Sequence, residues 1–180
     1  MAVAIVVIIV AVVVVLVLVG WMAMQRRQRS RGLREQFGSE YEQAVEETGD
    51  RKQAEADLDA RRQRVESFEI VELRPDESAS FTERWQTVQA NFVDRPSEAI
   101  TEAETLVTQV MVKRGYPMAD FDQRAADVSV DHPEVVSEYR EARAIAVKNA
   151  DGNASTEDLR QAMLHYRALF DELLGKRAAA

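Results

Sequence analysis

Residues 155–173, STEDLRQAMLHYRALFDEL, carry the clearest helical pattern in the chain. Large apolar side chains recur there at spacings of four, three, four and three residues, which places them on one face of an α-helix. These side chains are Leu159, Met163, Tyr166, Phe170 and Leu173. Ser155 or Thr156 precedes them at the position of a helix N-cap. We therefore expect an amphipathic helix that buries one face in a core.

Three earlier stretches show the same spacing, and a shorter one repeats it over about two turns. Their apolar residues are Phe81, Trp85, Val88 and Phe92; Ile100, Ala103, Val107, Val110 and Met111; Phe121, Ala125 and Val128; and Val135, Tyr139, Ala142 and Ala146. Burying four such faces takes about a hundred residues. The pattern predicts an all-α fold in which residues 76–174 form a four-helix-type bundle with a short extra helix.

Local signals mark several helix ends. Ser39 and Glu42 fit a capping box at the start of a short helix, which Gly49 would end. Asp94 is expected to cap the helix that follows it. Gly115 is placed for a left-handed C-cap at the end of that helix.

Residues 35–75 are rich in charged side chains and poor in apolar ones, so they predict a charged helical arm followed by a linker. The linker contains FEIVEL, residues 68–73, which we expect to be extended; a short strand is the less favoured alternative. Residues 175–180 are expected to form a frayed tail.

The first 24 residues, MAVAIVVIIVAVVVVLVLVGWMAM, contain no charged side chain. About 20 apolar residues in a helix cross a bilayer core, and residues 1–24 meet that length. A cleaved signal peptide is a second interpretation, but the exit is bulky where signal peptidase needs small residues. A buried core helix is a third, although 180 residues could hardly enclose a helix that is apolar on every face. We expect an uncleaved transmembrane helix, a single-pass signal-anchor.

A basic juxtamembrane segment, residues 25–34, follows the apolar stretch. Its arginines are Arg26, Arg27, Arg29, Arg31 and Arg34. Because no Lys or Arg precedes the apolar stretch, the positive-inside rule predicts an N-terminus outside the cell membrane and a C-terminal domain in the cytoplasm. We expect these arginines, with Trp21 as an interfacial anchor, to contact the membrane surface.

Outside those five arginines the chain has 18 basic and 31 acidic residues, a net charge of −13. The arginines should be attracted to the anionic headgroups of a lipid bilayer, whereas the acidic remainder should be repelled from that surface and from nucleic acid. We expect a lipid partner and no nucleic-acid partner.

Few residues are candidates for catalysis or for binding a metal or cofactor. The chain has no cysteine and two histidines, His132 and His165. Neither histidine lies at metal-ligand spacing from a second histidine or a carboxylate, and the glycines form no phosphate-binding motif. The sequence therefore predicts no catalytic, cofactor-binding or metal-ligating residue and no cofactor. An enzyme is less favoured than a non-enzyme.

The aromatic side chains of Phe81, Trp85 and Phe92 allow two interpretations. At helical spacing, large side chains are most often part of a core. If they are exposed instead, they would form an apolar face for a protein partner.

Several stretches resemble a family of uncharacterised bacterial single-pass membrane proteins. These stretches are FGSEYEQAVEETGD, VKRGYP, QRAADVSVDHP and STEDLRQAMLHYRALFDELL. The resemblance covers about residues 33–174 and the placement of the N-terminal apolar stretch. It implies an N-terminal anchor followed by a helical domain, and it implies no activity or catalytic residue.

Three functions follow as hypotheses. The first is a membrane-anchored helical module for protein–protein interaction, with its domain at the cytoplasmic face. The second is an exported or envelope-facing helical protein, formed by cleavage or by inverted topology. The third is an enzyme with an acid/base site at His132 or His165. The sequence indicates neither the partner nor the oligomeric state.

Overall fold

The computed structural model describes residues 2–175, and within them the side chains of residues 16–175 except 19, 23 and 26. This part of the chain is helical and contains no strand. Its helices are α1 (Ala2–Phe37), α2 (Ser39–Thr48), α3 (Arg51–Val65), α4 (Pro75–Asp94), α5 (Pro96–Arg114), α6 (Phe121–Asp131), α7 (Pro133–Ala150) and α8 (Thr156–Leu173). The predicted all-α class is confirmed.

A search of the described residues finds no helix with the length and apolar character needed to cross a membrane. Most of the predicted transmembrane segment, residues 1–24, lies outside the side chains that the structure describes, as does Arg26 of the basic segment. The predicted tail, apart from Gly175, also lies outside the described residues.

The chain divides into two compact units, one up to Ala56 and one from Asp57. We call them the first and second units. The boundary lies within α3, inside the segment predicted as an arm. The part of α3 after Asp57 belongs to the second unit because its Arg64 pairs with the buried Asp127 of α6.

In the first unit, Gly38 separates α1 from α2. Its backbone has φ 50° and ψ −122°, a conformation that glycine adopts readily and other residues rarely. Gly38 is therefore the N-cap of α2, and Ser39 makes no capping hydrogen bond. The predicted Ser39–Glu42 capping box is wrong because α2 begins one residue earlier than that box requires. The predicted end at Gly49 is confirmed, with φ 65°.

In the second unit, α5 packs on both α4 and α8. Helix α7 packs on both α8 and α6. The apolar face predicted for α8 is buried in this core along its whole length. The Trp85 ring of α4 stacks on the Phe170 ring of α8, with 4.6 Å between the ring centroids. The 3.6-residue periodicity thus produces one core to which α4, α5, α6, α7 and α8 all contribute.

Two predicted caps differ in outcome. The Ser155 hydroxyl accepts a hydrogen bond from the Asp158 backbone N–H, and the Asp158 carboxylate accepts one from the Ser155 backbone N–H, so α8 starts with a capping box. Asp94 is instead the last residue of α4, and Arg95 is the N-cap of α5. Pro96 causes this difference, because proline at the first helical position forces the preceding residue out of the helix.

Residues 69–74 form neither helix nor strand. The Val71 backbone N–H donates to the Arg114 carbonyl over 2.8 Å, which holds this linker against the end of α5. Gly115 lies beside it with φ 102°, and a Cβ atom there would come within 2.2 Å of the Glu69 carbonyl oxygen. Only glycine fits both the backbone conformation and the close approach.

Candidate functional site

The predicted membrane-surface residues are exposed wherever the structure describes them. Trp21 is 58% exposed on α1, and four arginines further along the same helix are exposed as well. These are Arg27, Arg29, Arg31 and Arg34. These exposed arginines lie on the helix that continues from the apolar stretch.

Arg34 also has a role within the first unit. Its Nε atom lies 3.2 Å from a Glu42 carboxylate oxygen, and its guanidinium lies 4.9 Å from the centre of the Tyr41 ring. The ion pair is exposed on both sides, so it contributes at most about 1 kcal/mol. Glu42, predicted as a capping residue, therefore serves as an ion-pair partner.

A cavity of about 640 Å³ in the first unit brings α1 and the start of α3 together. We call it the basic cavity. Its lining residues are Arg27, Arg29, Ser30, Asp50, Arg51, Lys52, Glu55 and Ala56. Arg27 and Arg29 were predicted to contact a membrane surface, whereas no role was predicted for Arg51 or Lys52. Their only sequence signal is a basic pair directly after Asp50, in a segment where charged residues are too frequent to be informative.

The two carboxylates of the basic cavity are engaged in bonds within the protein. The Asp50 carboxylate accepts the backbone N–H of Lys52 over 2.8 Å, at the start of α3. Glu55 accepts from the Arg51 Nε–H and the Tyr41 hydroxyl, over 2.9 and 2.7 Å. Burial alone would raise the pKa of Glu55, but hydrogen bonds from Ser30, Tyr41 and Arg51 outweigh it, so the pKa lies below its usual value. Glu55 is therefore charged at neutral pH, and both carboxylates already accept hydrogen bonds from the protein.

His132, between α6 and α7, is the centre of a second polar cluster. Its Nε2 atom lies 3.1 Å from Nη1 of Arg114, and its Nδ1 atom lies 3.0 Å from Oε1 of Glu172. Nearby, the Tyr116 hydroxyl donates to the Asp131 carboxylate over 3.0 Å. The cluster joins the C-terminal ends of α5, α6 and α8.

The hydrogen bonds of His132 define what this cluster can do. A guanidinium only donates, so Nε2 of His132 must accept, and the ring proton of the neutral imidazole lies on Nδ1, facing Glu172. His132, Glu134 and Glu172 bring ligand atoms within 4.8 Å of one another. However, Nδ1 cannot bind a cation while it carries that proton, and the Arg114 charge repels a cation. The arrangement fits a link between helix ends better than a metal site or a general base.

His165 lies on α8, with Nε2 3.2 Å from a carboxylate oxygen of Glu141. Glu141 is largely exposed. Because Glu141 is solvated, a pair of this kind has little energetic effect.

The aromatic residues predicted as a conditional partner face are packed against the core. Trp85 is 4% exposed, and Phe81 and Phe92 are partly buried beside it. Trp85 is therefore not exposed, as a partner face would require. Phe81 does line a cavity of about 630 Å³ together with Val112 of α5 and Met118, which is 82% exposed.

Comparison of the chain with protein-family models, with curated proteins and with solved structures finds no match.

Proposed function

We propose that the chain is a single-pass membrane protein, in which the apolar start of α1 is the anchor and the second unit is an interaction module in the cytoplasm. The observation that carries this proposal is the exposure of apolar side chains on α1 ahead of the arginines. Six of them are half exposed or more. They are Leu16, Val17, Leu18, Trp21, Met22 and Met24.

These six positions are distributed around most of the helix circumference, since successive residues are rotated by about 100°. An amphipathic surface helix would instead show a single apolar face. Lipid is the environment that favours apolar side chains on several sides of one helix.

The arginines support the proposed orientation. Helix α1 continues from Ala2 to Phe37, so Arg27 and its neighbours follow the apolar stretch on the same helix. Basic residues beside a hydrophobic segment are retained on the cytoplasmic side.

A single introduced cysteine tests the anchor and the topology, because the natural chain has none. Asn153→Cys lies in an exposed turn of the second unit. We expect the variant to stay in carbonate-washed membranes and to react with a membrane-impermeant maleimide only after the cells are opened. Asn153→Ser is the unlabelled control. Recovery in the soluble fraction would falsify the anchor.

Other results favour the alternative of an envelope-facing protein. Labelling of Asn153→Cys on intact cells indicates inverted topology, and a mature N-terminus near Gln25 indicates cleavage.

For the interaction module, the surface around Phe81, Val112 and Met118 is the best-supported contact region in the second unit. A photo-crosslinkable residue at Met118 should give a discrete adduct in membranes. The same residue at Leu164, an exposed apolar position outside that cavity, is the control. The same products from both positions would contradict a specific contact surface at Met118.

A further inference from the structure

We propose that the basic cavity is a phosphate-binding site that takes the headgroup of an anionic lipid or a soluble phosphate. The lipid source rests on the membrane anchor proposed above. The inference goes beyond a general attraction of the arginines to the bilayer, because it assigns the binding to a defined subset of cations from two helices.

The first argument is the origin of the cations. Arg27 and Arg29 come from α1, while Arg51 and Lys52 come from the first turn of α3. The fold thus places four cations around one cavity, although two of them are more than twenty residues from the other two in the sequence. A phosphate group accepts several charge-assisted hydrogen bonds at once, so convergence of this kind favours it over a monovalent carboxylate.

The second argument is the charge balance inside the cavity. Asp50 and Glu55 reduce four positive charges to a net charge of +2. Both carboxylates already accept hydrogen bonds from the protein, as described above. The bonds of Arg51 to Glu55 and Tyr41 both use its Nε atom. They fix the guanidinium while the Nη groups take no part in these bonds.

The position of the cavity along α1 also fits the depth of lipid phosphates in a bilayer. Arg27 follows Met24 by about 4.5 Å along the helix axis, and Ser30 follows it by about 9 Å. The headgroup layer on each side of a bilayer is about 5–8 Å thick. If the apolar stretch ends at Met24 in the bilayer core, the cavity lies level with lipid phosphates.

Calorimetric titration of the full chain in non-ionic detergent tests the site. The probes are dioctanoyl phosphatidic acid, dioctanoyl phosphatidylcholine and sodium phosphate. Lys52→Gln removes a cation from the cavity, and Arg31→Gln removes one from the exposed arginines outside it. We expect Lys52→Gln to weaken binding of phosphatidic acid about tenfold and Arg31→Gln less than about twofold. Lys52→Arg should retain binding, and all variants should keep the helical circular dichroism.

Each outcome decides a separate point. Equal weakening by Lys52→Gln and Arg31→Gln overturns the site, because diffuse charge then explains the binding. Selective weakening with phosphatidic acid alone supports a lipid source, and competition by sodium phosphate with the same dependence on Lys52 supports a soluble one.

Membrane retention is measured separately. A retained chain without the dependence on Lys52 contradicts the cavity and leaves the anchor intact. A soluble chain with that dependence contradicts the anchor and leaves the site intact.

Discussion

The second unit and the start of α1 in the first unit use apolar side chains in opposite ways. In the second unit, α4, α5, α7 and α8 bury them in one continuous core. In the first unit, Leu16, Trp21 and Met24 are exposed on α1, and Leu33 is the earliest buried residue among the described side chains. The second unit thus buries its apolar side chains internally, whereas the start of α1 leaves its described apolar side chains exposed.

This difference separates stability from location. Burial of apolar area is the main favourable term in folding, so the second unit should be sensitive to changes in its core. The exposed start of α1 gains little by folding alone, and changes there should alter where the chain lies. We therefore expect the changes below to act mainly on the second unit.

The largest effect is expected at alkaline pH. Burial raises the pKa of Tyr116, Tyr139 and Tyr166, all in the second unit. Below about pH 10 these tyrosines are protonated in both the folded and the unfolded state, so through them the free energy of unfolding does not change with pH. Above about pH 10 the unfolded chain loses protons that the folded chain keeps, so the free energy of unfolding falls as pH rises. In a Tyr41→Phe chain, tyrosinate absorbance and loss of helical circular dichroism should therefore develop together.

Separate transitions would contradict this prediction. Suppose that the three tyrosines ionise near pH 10 while helical circular dichroism and Trp85 fluorescence stay constant. Their side chains are then accessible to solvent, and the core of the second unit is less tightly packed than their burial indicates. The natural chain, in which Tyr41 of the first unit also contributes to the tyrosinate absorbance, is the control.

A change in the core should come next in size. Phe170→Ala removes a fully buried ring that stacks on Trp85, and such truncations cost about 3–5 kcal/mol. Urea unfolding in a Trp21→Phe background measures it, because Trp85 is then the only tryptophan. Leu164→Ala, on the exposed side of the same helix, should cost less than about 1 kcal/mol. Similar losses for both variants would contradict the packing of α8.

The sequence predicted features that depend on neighbouring residues more fully than features that depend on distant ones. The buried face of α8 follows from its spacing, because a helix repeats every 3.6 residues wherever it lies. The same spacing could not decide whether Trp85 is buried, since that depends on Phe170. The basic cavity was missed for the same reason: Arg51 and Lys52 join Arg27 and Arg29 only after folding. The start of α2 was predicted one residue too late, because a serine fits the first helical position, where Ser39 lies, as well as the N-cap.

Gly115 tests a distant contact of this kind. Gly115→Ala places a Cβ atom against the Glu69 carbonyl oxygen and forces φ 102° on alanine, so we expect a loss of about 3 kcal/mol in urea unfolding. Gly152→Ala is a matched control with φ 71° and no atom within 4 Å of the new Cβ. It should cost about 1 kcal/mol. Equal losses would mean that backbone conformation alone explains the glycine and that the linker does not press on the end of α5.

The smallest effect compares two serines with similar local sequences, one in each unit. Ser155→Ala removes a hydroxyl that accepts the Asp158 N–H, and the loss of such a cap costs about 1 kcal/mol. Ser39 has an acidic residue three positions later, as Ser155 does, but it makes no cap, so Ser39→Ala should change the free energy of unfolding by less than about 0.5 kcal/mol. The same urea titration measures both. A cost at Ser39 equal to that at Ser155 would place the start of α2 at Ser39 in solution and remove the role assigned to Gly38. A loss of stability at Ser155 alone would show that the capping motif stabilises a helix only where its serine occupies the N-cap position.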